Sequence, residues 1–139
     1  MVFRASGPVR LRAILAVSPG ERVHETSIAF SILETAERLA GTGHLESVRI
    51  AIGELSAVEP ELLRFAWEAV VSGSAHESST LQVEWHPARQ FCPRCDACKD
   101  RNAGSWLIHC PDCGEALRIE GGYELEILEI SYTETRADS

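Results

Sequence analysis

From Thr26 to Ala40 the residues Ile28, Ile32, Leu33, Ala36, Leu39 and Ala40 recur at helical spacing, with Glu34, Glu37 and Arg38 between them. That period predicts an amphipathic helix. Gly41 and Gly43 end it, and Val48, Ile50 and Ile52 then alternate with Arg49 and Ala51 up to Gly53, the pattern of a half-buried strand. Pro60 opens a second helix, where its missing N–H is not needed, with Leu62, Phe65, Ala66, Ala69 and Val70 as the expected buried stripe and Gly73 as the stop. Leu81, Val83 and Trp85 alternate with Gln82 and Glu84 as a second strand. After Gly121 and Gly122, a last strand alternates Tyr123, Leu125 and Ile127 with Glu124 and Glu126, then slips phase to Leu128, Ile130 and Tyr132. A bulge explains the slip. Thr133 to Ser139 is polar, lacks a pattern and reads as a frayed tail.

Between the second and last strands lie two cysteine knuckles, Cys92-Pro93-Arg94-Cys95 and Cys110-Pro111-Asp112-Cys113. Two residues between the members of a pair let both sulfurs of a tight turn face one ion, and the intervening segment is long enough for a short hairpin. The pattern predicts one tetrahedral Zn(II). Four sulfur ligands close the coordination sphere and leave no place for water, so the ion is read as structural and a zinc hydrolase is disfavoured. Cys98 is a possible substitute ligand, although a free thiol beside the site is the simpler reading. His86 and His109 flank the cysteines, where either could join a rearranged coordination sphere, although each reads more simply as a surface histidine; His44 and His76 fall in connections and suggest nothing more.

The last strand is too apolar for so small a module, which places it back in the main sheet and makes the cysteine region an insertion. The expected architecture is α+β: a small mixed sheet with two helices, carrying an inserted zinc-ribbon module. The expected organisation is an extension at 1–22, an α/β body at 23–85 plus 123–133, the zinc-binding ribbon at 86–122 and a tail at 134–139. Trp67 and Trp85 are expected in the core, and Trp106 over the zinc hairpin.

Charge narrows the function. The chain carries a formal −8. Residues 1–22 hold four Arg against Glu21, a net of +3, whereas residues 23–85 hold three Arg against ten Glu, a net of −7. Phosphate contacts need a basic face, so nucleic-acid binding is disfavoured. No apolar run is long enough to span a bilayer. With no secretory leader and a metal-type cysteine pattern, a cytoplasmic protein with reduced thiols is expected. No phosphate loop, nucleophile elbow or HExxH helix points to an enzyme.

Two further sets of residues, with the cysteine quartet, carry a family resemblance. His24-Glu25-Thr26-Ser27-Ile28 opens a helix containing Ser31-Ile32-Leu33-Glu34. Ile52-Gly53-Glu54-Leu55-Ser56 is followed by Val58, Pro60-Glu61 and Leu63-Arg64-Phe65-Ala66-Trp67-Glu68. With the cysteine quartet, these resemble the HypA/HybF family of hydrogenase nickel-incorporation proteins from Val23 nearly to Tyr132. The resemblance implies a nickel metallochaperone for [NiFe]-hydrogenase, sometimes also serving urease, that works with a HypB-type GTPase and a hydrogenase large-subunit precursor. It implies no turnover of its own. Ni(II) would be cargo, held by the imidazole equivalent to His24 together with the amino terminus and backbone amides; nitrogen donors of this kind suit square-planar Ni(II). Glu25 either tunes that site or only complements the positive end of a helix. Thr26 stands where the family commonly has Leu.

One departure bears on this site: 22 residues precede His24. The favoured expectation is a translation start at Val23, because a GUG codon reads as Val internally and as Met at initiation, and the Gly20-Glu21 codons can carry a purine-rich ribosome-binding sequence. The competing one is a genuine extension, in which Val9, Leu11, Ala13, Leu15 and Val17 alternate as an added edge strand. A rival of another class is a zinc-ribbon adaptor that never handles nickel.

Overall fold

In the computed structural model, which describes residues 3–14, 25–102 and 104–136, the main sheet contains β1 (Phe3–Ile14), β2 (His44–Gly53), β3 (Thr80–His86) and β7 (Leu125–Arg136). Helix α1 (Glu25–Ala40) precedes β2, and α2 (Pro60–Val71) joins β2 to β3. The strand order is β1-β7-β2-β3, with β2 and β3 parallel and the other pairs antiparallel. Parallel neighbours need a crossover, and α2 supplies it. A second sheet of three short antiparallel strands, β4 (Arg89–Cys92), β5 (Ala97–Lys99) and β6 (Arg118–Glu120), has the order β5-β4-β6 and carries the cysteines. The fold is α+β, a small mixed sheet with two helices and a zinc-ribbon-like insertion.

Both helices bury one face against the main sheet. Ile28, Ile32, Leu33 and Ala36 of α1 and Leu63, Ala66, Trp67 and Val71 of α2 pack with Val48, Ile50 and Ile52 of β2 and Ile127 and Ile130 of β7. The bulge falls at Leu128: on β2, Arg49 faces Glu129 while the next residue, Ile50, faces Ile127. The extra residue turns Ile127 and Ile130, three apart in sequence, into the same core. The opposite face is polar there, with Arg49 between Glu84 and Glu129 at 3.0 and 3.7 Å.

Four expectations need correction. The buried stripe of α2 is Leu63, Ala66, Trp67 and Val71, while Leu62 and Phe65 face outward, Phe65 at 73% exposure. Apolar residues surround this helix, and its phase is decided by Trp67, whose indole N–H finds a buried acceptor in Ser79 Oγ at 3.1 Å. Leu39 likewise points out, and Ala29 takes a core position in α1. Trp85 is 47% exposed, on an edge strand and next to that strand's last residue. Finally, β7 continues to Arg136, into the expected tail, because β1 pairs with it from Phe3↔Arg136 to Ile14↔Glu126. Main-chain pairing needs no apolar pattern, which is why polarity alone misleads there. The alternating run before Val23 thus contributes a strand through Ile14; Leu15 and Val17 lie outside the described residues.

His76 has a structural part that its sequence position hides. It is buried, and its Nδ1 accepts the Leu45 N–H at 3.0 Å, which places the ring proton on Nε2 and secures the start of β2.

Candidate metal centre

Each knuckle is built by the same local rules. Proline follows the first cysteine and fixes its own φ. The residue after the second cysteine turns left-handed, Asp96 at φ 54° and Gly114 at φ 77°. Backbone N–H groups point at sulfur, from Cys95 to Cys92 Sγ at 3.3 Å and from Asp112 to Cys110 Sγ at 3.4 Å. In the second knuckle Gly114 N–H also donates to the Cys110 carbonyl at 2.9 Å and Cys110 N–H to that of Glu115 at 2.9 Å.

The four sulfurs of Cys92, Cys95, Cys110 and Cys113 lie within 4.8 Å of one another. Across the knuckles Cys92 and Cys113 are 3.5 Å apart and Cys95 and Cys110 3.9 Å. A zinc–sulfur bond of about 2.3 Å gives a tetrahedron whose edges are about 3.8 Å. The two cross-knuckle distances therefore match the edges of a tetrahedron around an ion of zinc's size, and all four sulfurs lie close enough to share it. Cys92 and Cys110 are buried, so the site is anchored from inside.

Without a metal the four thiols cannot share charge evenly. Burial pushes the Cys110 thiol up, but the backbone N–H groups of Asp112 and Cys113 and the neighbouring thiols outweigh it and bring it down to about 6. At Cys113 the Glu115 N–H favours the thiolate, yet burial and the three other sulfurs prevail and push it up to about 12. Removing the last protons costs thiolate repulsion, which a bound dication cancels.

The loop between β5 and the second knuckle is held from both sides. Buried Gln90 on β4 donates to the Leu107 carbonyl at 3.0 Å and accepts the Leu107 N–H at 2.9 Å. Arg101 reaches out of this loop to the body: its side chain is 6% exposed, pairs with Glu54, donates to the Ala88 carbonyl at 2.9 and 3.2 Å, and lies 4.0 Å from the centroid of the Trp106 ring. Glu54 also accepts the N–H groups of Ala88 at 3.0 Å and Gly104 at 3.3 Å. The Arg101 guanidinium holds its carboxyl below the usual carboxylate range, against the opposing effect of burial. Beside this clasp, Gly53 crosses Gly122 so closely that a Cβ on Gly53 would stand 2.2 Å from the Gly122 carbonyl oxygen. The module is thus bonded to the end of β2.

Along the sequence Glu54 stands inside a motif that gives it no role, and neither Arg101 nor Gln90 stands out. A charged or amide residue in a short segment of few apolar groups gives no local sign of burial.

Of the other proposed ligands, Glu25 is the first residue of α1 and half-buried, and His24 lies outside the described residues. Among the described residues, the quartet is the sole group of three or more potential metal ligands, and neither Cys98, His86 nor His109 belongs to it. Cys98 is exposed in the middle of β5, opposite Phe91. His86 instead sits between Glu84 at 2.9 Å and Glu124 at 3.6 Å.

Residues 23–132 match the family described as hydrogenase/urease nickel incorporation, metallochaperone, hypA. The chain belongs to the HypA family. The hydrogenase maturation factor HypA of Geobacter metallireducens is 33% identical over 109 residues, covering 78% of this chain and 97% of that protein. The HypA of Azotobacter chroococcum is 37% identical over 117 residues, with the same two coverages. Among solved structures, that of the Ni metallochaperone HypA from Helicobacter pylori superposes with a TM-score of 0.50 at 26% identity, over 78% of this chain and 96% of that one. A second HypA solution structure, 23% identical with a TM-score of 0.51, supports the fold over 84% of this chain and 98% of its own. The chain is therefore one of a family of nickel metallochaperones of hydrogenase maturation, and the HypA match begins at Val23, after β1.

Proposed function

We propose that this HypA-family protein carries Ni(II) to the precursor of the [NiFe]-hydrogenase large subunit, in concert with a HypB-type GTPase, and also serves urease maturation. Nickel is held near the start of α1 by the His24 imidazole, with Glu25 beside it, in the body formed by residues 23–85 and 123–133. The cysteine quartet in 86–122 holds a structural Zn(II). The observation that carries this reading is the fit of four thiols to one closed tetrahedral ion, which sets them apart from a cargo site. Cargo must leave, and in a chain starting at Val23 the site would stand at a terminus, where backbone is ordered and released cheaply. In this reading the product is a delivered ion, with no reaction turned over by the protein.

The experiment is nickel titration with parallel metal analysis of the full chain, of a chain starting at Val23 replaced by an initiating Met, and of His24→Ala in each. Stoichiometric nickel in the shorter chain, lost in its His24→Ala variant while zinc stays at one equivalent, is the expected outcome. Nickel binding unchanged by His24→Ala would overturn the assignment of the site. Tight binding by the shorter chain alone would locate the amino group of the site at Val23.

A further inference from the structure

Lys99, the last residue of β5, is a lysine in an unusual position. Its side chain is 12% exposed, whereas that of its partner Asp112 is 68% exposed. Lysine is among the residues least often buried without a reason. Here the ammonium donates to Asp112 Oδ2 at 2.7 Å. The two residues belong to different halves of the cysteine module. Lys99 stands four residues beyond Cys95 on the first hairpin. Asp112 stands between Cys110 and Cys113, with its own N–H already directed at Cys110 Sγ. The pair is therefore a bridge across the two halves of the metal site.

Charge gives the bridge a second effect. Four thiolates around a dication leave a net charge of −2. The Asp112 carboxylate is 68% exposed and screened by water, while the Lys99 side chain is mostly covered within the module that holds the four cysteines, where less water intervenes. Its positive charge thus offsets that of the thiolates, and losing it favours dissociation of one arm.

We propose that the Lys99–Asp112 pair latches the zinc module: it joins the two knuckles and offsets thiolate charge, so that it sets how slowly zinc leaves, without touching the ion. The proposal rests on the quartet holding zinc and is independent of nickel delivery.

The test is zinc transfer from the zinc-loaded full chain to excess 4-(2-pyridylazo)resorcinol. Lys99→Met is expected to release zinc at least about tenfold faster than the parent, as loss of a partner surrounding a metal site does. Lys99→Arg keeps the charge and is expected within about threefold of the parent; Asp112→Asn keeps the ammonium but loses the ion pair and is expected between the two. Added salt should speed release from the parent and from Lys99→Arg while leaving Lys99→Met unmoved, a response that lost packing alone would not produce. Release from Lys99→Met at the parent rate, Lys99→Arg as fast as Lys99→Met, or an unchanged salt response in Lys99→Met would each overturn the latch. If Lys99→Met does not fold, Asp112→Asn decides: faster release supports the latch and the parent rate overturns it. A parent chain that binds no stoichiometric zinc would overturn the zinc assignment itself, and the latch with it.

Discussion

Replacing Gly53 by Ala tests the crossing that joins the two parts of the molecule. Gly53 has φ −88° and ψ 151°, dihedrals open to any residue, so alanine incurs no backbone penalty there. Its Cβ would instead meet backbone: 2.2 Å to the Gly122 oxygen, 2.3 Å to the Gly122 carbonyl carbon and 2.6 Å to the Glu124 nitrogen. Restoring ordinary contact requires a shift of about 1.2 Å between the two strands. That shift stretches the hydrogen bonds from Gly53 N–H to the Glu124 carbonyl at 2.7 Å and from Leu55 N–H to the Gly122 carbonyl at 2.6 Å. Two net hydrogen bonds at about 1 kcal/mol each, with overpacking of about 2 kcal/mol, give a loss of about 4 kcal/mol. At roughly 3–4 °C per kcal/mol for a chain of this size, Tm should fall by about 12–16 °C. The assay is thermal and urea unfolding of the zinc-loaded protein followed by circular dichroism, with Gly41→Ala alongside. Gly41 has φ +62° and open space around it, so its variant bears only the left-handed cost of about 1–2 kcal/mol. The reasoning fails if Gly53→Ala costs no more than Gly41→Ala. Zinc content should remain at one equivalent in both, since the quartet is built on the other sheet.

Three further outcomes are expected. The Glu54 carboxyl is held below its usual 4.5, chiefly by Arg101; such a group contributes stability that is complete above pH 4.5 and is lost as pH falls from there through the lower folded-state value. Arg101→Met should therefore be less stable than the parent at neutral pH and lose less on acidification below pH 4.5, read from urea midpoints across that range. Cys95→Ser should abolish stoichiometric zinc and raise amide exchange across β4 to β6, because a module with so few apolar groups depends on metal worth roughly 10–16 kcal/mol of apparent binding free energy; full zinc retention would contradict the ligand set. Leu63→Ala, at a fully buried position, should cost about 3 kcal/mol by urea denaturation, whereas Phe65→Ala on the exposed side of the same helix should cost less than about 1 kcal/mol.

What the chain determined by itself is what depends on near neighbours. The period of α1 and β2, the stop at Gly41, the start at Pro60 and the bulge that carries the core from Ile127 to Ile130 follow from spacing within a few residues, because backbone geometry repeats over that range. The knuckles are legible for the same reason: a turn of four residues brings two sulfurs together whatever surrounds it, and the structure closes the four into one group.

Tertiary structure decided which of several allowed faces turned inward. Helix α2 offers two apolar stripes one residue apart, and only the position of Ser79 and the sheet selects the one containing Trp67. Trp85 is exposed on a strand that has a neighbour on one side only. Arg101 and Glu54 are 47 positions apart, and Lys99 and Asp112 are 13. Each residue alone is an ordinary surface charge, and it is the meeting with its partner that allows Arg101 and Lys99 to be withdrawn from water. Periodicity is a property of the local backbone, whereas the burial of a charge depends on a distant partner, and that partner is fixed only when the two sheets meet, for Arg101, or when the two knuckles close on each other, for Lys99.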